Sequence, residues 1–247
     1  MRDILQDIVA HTHALGFLET IKITSDEDTY INSNADDNSV IMYAKTHNIV
    51  PEFSGVFGMT NLEKLNLHLK NPEYKDNTKI EVVQGERNGE VVPTHIHFEN
   101  EAGDFQNDYR FMSKTVVEEK IKILKFAGAN WDVVFQPSIA SIQRMRLMSA
   151  AHTEESNFSV STKDTGGATD LIFSFGDLGA HAGEFVFEAN VNGKLAQDRC
   201  WPVDQVQKLL GLGGDITMSI SGQDGVMQIS VDSGLTKYDY LLVAQVK

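Results

Sequence analysis

The chain has 247 residues, a formal net charge of −14 and a single cysteine, Cys200. One cysteine excludes both a disulfide framework and a thiolate zinc site, and a reducing cytoplasm is the expected compartment. The opening Met-Arg-Asp-Ile-Leu-Gln-Asp lacks a signal peptide's apolar core and no apolar run approaches a membrane span, so no membrane partner is expected.

The first predicted element is an amphipathic helix from Arg2 to Leu15. Ile4, Leu5, Ile8 and Leu15 share one face at a 3.6-residue period, Arg2, Asp3, Gln6, Ala10 and His13 fall on the other, and Gly16 closes it. Strands rich in Ile, Val, Thr and Tyr are predicted at about 17–24, 28–33 and 39–46, separated by clusters of Asp, Asn and Ser. A second helix spans Thr60–Leu69, with Thr60 and Glu63 as a capping box, Leu62, Leu65 and Leu69 as its stripe, and Pro72 beyond its end. Three more strands, at about 78–84, 91–99 and 107–113, complete this half.

The same programme then repeats roughly 140 residues later. Pro137 sets up a helix from Ser138 to about His152, followed by strands near 157–162, 169–176 and 183–191. A short helix begins after Trp201-Pro202, with Val203, Val206, Leu209 and Leu210 facing inward and Gly211 ending it. Closing strands near 214–221, 225–232 and 237–246 are joined by glycine-containing hairpin turns at 221–225 and 232–234. The connector at 113–125, where Glu118, Glu119, Lys120, Lys122 and Lys125 interrupt an apolar run, divides the chain into domains 1–117 and 118–247. The fold class is α+β, built from two copies of one pattern without residue-level identity between them.

The negative total argues against nucleic acid until the charges are located. Charged residues on the four predicted helices sum to +2, which leaves −16 for the remainder. Helices of both halves on one surface would therefore make a mildly basic face on an acidic body.

The segment Phe53-Ser54-Gly55-Val56-Phe57-Gly58-Met59-Thr60-Asn61-Leu62-Glu63-Lys64-Leu65-Asn66-Leu67, with Lys70-Asn71-Pro72-Glu73 after it, carries a resemblance. It is similar to the strand, leucine-rich helix and Pro-Glu turn of the ring-shaped DNA polymerase sliding clamps, in particular those of myovirus-type tailed phages. The stretch from Asp215 to Val246 resembles the paired hairpins and last strand of the same family. In element order the resemblance covers the whole chain. It implies a homotrimer of two-domain protomers around duplex DNA, helices lining the hole and antiparallel sheets outside. It also implies a replicative DNA polymerase, a clamp loader and phage transcription machinery as partners, the cytoplasm of a bacterial host as location, and no cofactor or catalysis. Two departures are the longer 77–108 region and a helix at 138–152 with only two basic residues.

Topological linkage lets sparse cations at the phosphates suffice for retention. Lys64, Arg144 and Lys208 lie opposite the apolar stripes of their helices and are the leading DNA-binding candidates. Arg146, placed by the helical wheel between Ile139 and Ile142, follows with Arg2 and Lys70. The resemblance puts a pocket for a partner's apolar peptide near the connector and the last strand, where Val116, Val117, Ile121 and Ile123, and Leu241, Leu242 and Val243, are the apolar candidates. Ordinary core is the competing account of each.

A rival signal is Gly89-x5-His95-x-His97-x3-Glu101, which matches the spacing of a first cupin motif. On a strand His95 and His97 share a face, as two metal ligands must, and Glu101 could complete the set of a metalloenzyme. The glycine expected after Glu101 and the second cupin motif are absent, and the leucine-rich helices do not suit a β-barrel. No phosphate loop, nucleophile elbow or zinc-protease motif occurs.

Overall fold

The first helix, α1 (Arg2–Ala10), is shorter than its periodicity predicts. The backbone breaks at Thr12, whose hydroxyl folds back onto the Ile8 carbonyl at 2.6 Å, and a single 3-10 turn, His13–Leu15, carries the chain to Gly16 at φ +77°. The computed structural model describes residues 1–75, 77–87, 89–122, 126–176 and 181–245. They form two units, Met1–Lys125 with Asp232–Tyr238, and Phe126–Val231 with Asp239–Lys247.

Unit 1 continues through β1 (Thr20–Ser25), β2 (Thr29–Asn34), β3 (Val40–Thr46) and β4 (Gly55–Thr60) to α2 (Leu62–Lys70). A meander follows, β5 (Lys79–Arg87), β6 (Glu90–Glu99) and β7 (Gln106–Arg110), and then a short helix, α3 (Lys114–Lys120), inside the predicted connector. Unit 2 holds β8 (Val133–Phe135), α4 (Ile139–Ala151), β9 (Asn157–Thr165), β10 (Ala168–Phe175), β11 (Gly183–Glu188), β12 (Arg199–Pro202) and α5 (Val203–Leu210). It ends in β13 (Asp215–Ser221), β14 (Val226–Asp232) and β15 (Thr236–Val243), although the first residues of β15 are counted in unit 1.

The repeat is plain in the strand order. Unit 1 has β4-β1-β2-β3 and unit 2 has β12-β9-β10-β11, the same sequence of positions; the meanders β5-β6-β7 and β13-β14-β15 also correspond. In each unit the strand ahead of the second helix makes a bridge to the chain just past the third meander strand, Gly58 to Met112 and Cys200 to Gln245. One position differs: β8 pairs with β13, whereas among the described residues no strand covers the corresponding side of β5.

Helix faces follow the sequence where one stripe dominates. Leu5 and Ile8 of α1 and Leu62 and Leu65 of α2 are fully buried, each side chain contributing about 1.5–3 kcal/mol. In α5 Val203, Val206, Leu209 and Leu210 all turn inward as predicted. The core of unit 2 is aromatic, with Phe173 stacked on Phe187 at 4.0 Å and Phe158 and Trp201 fully buried. The Thr60 capping box does not form. Thr60 stays in β4, its hydroxyl 3.3 Å from that of Thr20 and its carbonyl accepting from the Tyr109 hydroxyl at 2.6 Å, while Asn61 enters α2 from the left-handed region at φ 55°.

Candidate nucleic-acid interface

Each unit contributes two helices that pack on each other, α1 with α2 and α4 with α5. On α2, Lys64 and Lys70 are exposed, opposite the buried Leu62, Leu65 and Leu69. On α4, Arg144 and Arg146 are exposed as well. Among the described residues no carboxylate pairs with any of these four cations. Lys208 on α5 differs, because Asp204 one turn earlier holds its ammonium at 2.8 Å and offsets much of its charge.

Arg2 leaves the set of cations available to a polyanion. Its guanidinium turns inward, donating to the Leu69 carbonyl at 3.2 Å and to the Tyr74 carbonyl, and so ties the start of α1 to the end of α2. Carbonyls at a helix C-terminus have no partner within the helix and carry partial negative charge, which is why a guanidinium settles there. Arg146 sits at the mouth of a groove of about 390 Å³ between α4 and the turn after α5, shared with Ile139, Ile142 and Leu210. It is neither buried nor ion-paired among the described residues. The helix it sits on is less one-sided than its pattern suggests: Ser141 and Met145 are buried, while Ile139 and Leu147 are 77% and 73% exposed.

The apolar candidates for a peptide pocket mostly belong to the core. Val117 is fully buried beneath Gly58, Ile121 is 4% exposed, and Leu241 and Leu242 are buried in β15. These four are packed in the core: Val117 on the inner face of α3, Ile121 just past its end, and the consecutive Leu241 and Leu242 on the two faces of β15. Val243, at 48% exposure, is available, as is Val116. Ile123 lies outside the described residues.

A surface the sequence did not single out lies at the crossing of the β3–β4 loop with residues 232–235 of unit 1. The His47 amide donates to the Leu235 carbonyl at 2.8 Å, and its ring meets the Asp232 carboxylate at 2.8 Å. That imidazole holds the Asp232 carboxyl below its ordinary value, helped by the Gly234 amide. Ile49 and Leu235 on these segments stand 47% and 42% exposed. The signal was only a Pro-containing loop, since its partner is 185 residues away.

His95 and His97 do share one face of β6, but they meet a neighbouring strand. Asp108 on β7 lies 2.8 Å from His97 Nδ1 and 3.6 Å from His95 Nε2, and it also accepts from Arg110 at 3.3 Å. Glu101 is elsewhere, accepting from the Asn77 amide at 3.1 Å. Among the described residues no group of three or more His, Cys, Asp or Glu side chains is arranged to hold a metal ion. The cupin alternative also fails on architecture, since two repeated helix-and-sheet units replace the barrel it requires.

No protein-family model matches the chain, and no curated protein matches it in sequence. Solved structures do. PCNA from Thermococcus kodakaraensis superposes with a TM-score of 0.68 at 9% identity, covering 99% of this chain and 97% of the other. A. fulgidus PCNA, solved with the C-terminal region of FEN-1, gives 0.65 at 9% identity over 100% and 95%. The Entamoeba histolytica protein gives 0.63 at 9% identity over 99% and 94%. Over its whole length, then, this chain has the DNA clamp fold of the PCNA structures, α+β with duplicated antiparallel sheets.

Proposed function

We propose that the chain is the protomer of a homotrimeric sliding clamp of the myovirus tailed-phage type. It encircles duplex DNA and tethers the replicative DNA polymerase as a processivity factor, with no catalysis of its own. One observation carries this reading: two complementary open edges in a duplicated topology. In unit 1, β3 has β15 as its outer neighbour; β11, in the same position of unit 2, has none among the described residues. The counterpart of β15 in unit 1 is β7, whose side away from β6 is open too. An exposed edge is a template for another strand, and pairing β7 of one copy with β11 of the next is a head-to-tail contact of the kind that closes a ring.

Lys64, Lys70, Arg144 and Arg146 are the cations we assign to the phosphates, with Lys208 weaker. Contacts of this kind fix no sequence and permit sliding. The strongly acidic remainder repels duplex elsewhere on the surface. Polymerase, clamp loader and phage transcription proteins would compete for an outer site at which Ile49 and Leu235 are the exposed apolar anchors. The compartment consistent with this role is the cytoplasm of a bacterial host.

Light scattering tests the assembly and should give three chains per particle at micromolar concentration. Retention on circular duplex, lost when the circle is cut, tests the linkage. A strict monomer at high concentration, or equal retention on linear and circular DNA, would refute the reading.

A further inference from the structure

The histidine pair on β6 is unused by a clamp's general mechanism, and it sits beside an edge that the ring needs. Register pairs His95 with Arg110 and His97 with Asp108, so the four side chains share the face of the meander opposite the buried Ile96, Phe98 and Tyr109. On β5 the same face carries Glu81 opposite His97 and Lys79 opposite Glu99. This outer face is a charged array bordering the open edge of β7.

The other open edge has its own charges. Along β11, Phe185 and Phe187 join the aromatic core with Phe173, while Glu184 points outward, 63% exposed, with Lys163 of β9 at 3.6 Å. Glu188 ends the strand beyond a register shift. When two half-buried edges pair, their apolar faces must fall on one side, because a slip of one residue would turn every side chain over. The outward residues of β11 are therefore brought to the same side as Arg110, Asp108 and the two imidazoles.

We infer that the His95, His97, Asp108 and Arg110 array of one copy and Glu184 of the next form a charged clasp across the ring joint, tightened when the two histidines are protonated. With both imidazoles neutral, Glu81, Glu99 and Asp108 outnumber Lys79 and Arg110 by one, and the facing side, Glu184 and Asp170 against Lys163, is negative by one as well. Protonating both histidines reverses the sign of the first surface and leaves the second negative. Histidine is the side chain whose ordinary value lies nearest physiological pH. Partial burial holds the His95 pKa below its ordinary value, Arg110 and His97 add to that, and Asp108 opposes it. The clasp rests on the ring reading above, and it adds regulation to that reading: closure becomes stronger as pH falls.

The experiment is the dissociation of the assembled full-length protein, followed by mass photometry at about pH 5 and about pH 8. Wild type should dissociate on the order of tenfold less readily at the lower pH, and the His95→Asn, His97→Asn double variant should remain a trimer with that dependence removed. Arg110→Glu should weaken the trimer at both pH values, and adding Glu184→Arg to it should restore assembly, which separates the clasp from a folding defect. A trimer indifferent to pH, or a charge swap that fails to rescue, overturns the clasp and leaves the ring standing. A monomer under every condition overturns the ring reading itself, and the clasp with it.

Discussion

Adding a methyl group at Gly58 would drive β4 into α3. An ideal Cβ there lies 2.6 Å from Val117 Cγ2 and 2.8 Å from Val117 Cβ, about 1 Å inside the optimal 3.5–4.0 Å separation of two carbons. Retreat is blocked on the strand side. The Gly58 amide donates to the Met112 carbonyl at 3.1 Å, its carbonyl accepts from the Met112 amide at 2.8 Å, and Lys22 pairs with it from β1. Val117 is fully buried, so α3 must move or the side chain must leave its rotamer. Overpacking of this kind costs about 1–3 kcal/mol, and each kcal/mol lowers Tm by about 2–4 °C for a chain of this size. Val117→Ala removes two methyl groups at about 0.8 kcal/mol each, and with them the 2.6 Å contact, although its own Cβ stays 2.8 Å from the new methyl. The double variant Gly58→Ala, Val117→Ala loses the Cγ2 clash but keeps the one with Cβ, so it should be more stable than the sum of the single losses predicts by about 0.5 kcal/mol. Differential scanning calorimetry of the four proteins gives the coupling. Strict additivity would show that α3 is not seated on β4 through this contact.

Removing Lys64, Arg144 or Arg146 by alanine substitution should each reduce the salt slope of DNA retention by about one unit, measured on circular duplex between low and moderate salt. Lys208→Ala should do less, because Asp204 already offsets its charge; equal effects at all four positions would refute the distinction drawn between them. Acid unfolding should respond to Asp7→Asn. Burial alone would raise the Asp7 carboxyl, but hydrogen bonds from His11, Tyr238 and Ser233 outweigh it and hold the group below the ordinary 3.8. A depressed carboxyl contributes stability that is present above the unfolded value of about 4 and lost as pH falls through the folded one. The variant should be less stable near neutrality and show a flatter acid limb, whereas acid curves that stay parallel would remove Asp7 from that role.

Local pattern fixed those elements whose stabilising contacts are local. All four residues of the α5 stripe are buried, and Ser138, just ahead of α4, caps it by accepting from the Ser141 amide at 3.0 Å. Where a distant partner competes, the local rule lost. Thr60 and Glu63 have the capping-box spacing, yet Tyr109 and Thr20 hold Thr60 in the strand. The connector read as irregular because its charges break the apolar run; α3 forms because Val117 finds Gly58, a contact that no spacing encodes. Val117, Ile121, Leu241 and Leu242 illustrate a related limit, since an apolar residue made for a pocket and one made for a core have the same alternation. The helix cations were legible by position, but Arg2 was not, because the carbonyls it holds come from residues 69 and 74. The repeat itself survives in strand order alone, where side-chain identity has been free to drift and hydrogen-bond topology has not.

The sharing of the last strand sets a timetable for the nascent chain. Residues 232–238 complete unit 1, and Tyr238 closes over α1 through its hydroxyl bond to Asp7 at 2.8 Å and its ring stacked on His11 at 4.4 Å. At a synthesis rate of about 5–20 residues per second, the ribosome needs roughly 5–20 s to travel from the end of the first segment to these residues. During that interval unit 1 waits with β3 lacking its outer neighbour and α1 lacking Tyr238, while unit 2 is still being made. A bare sheet edge held open for seconds is an invitation to pair with another nascent copy. Translation speed and chaperone occupancy over the second half of the message thus become determinants of yield, and slow codons placed just before residue 232 should lower it.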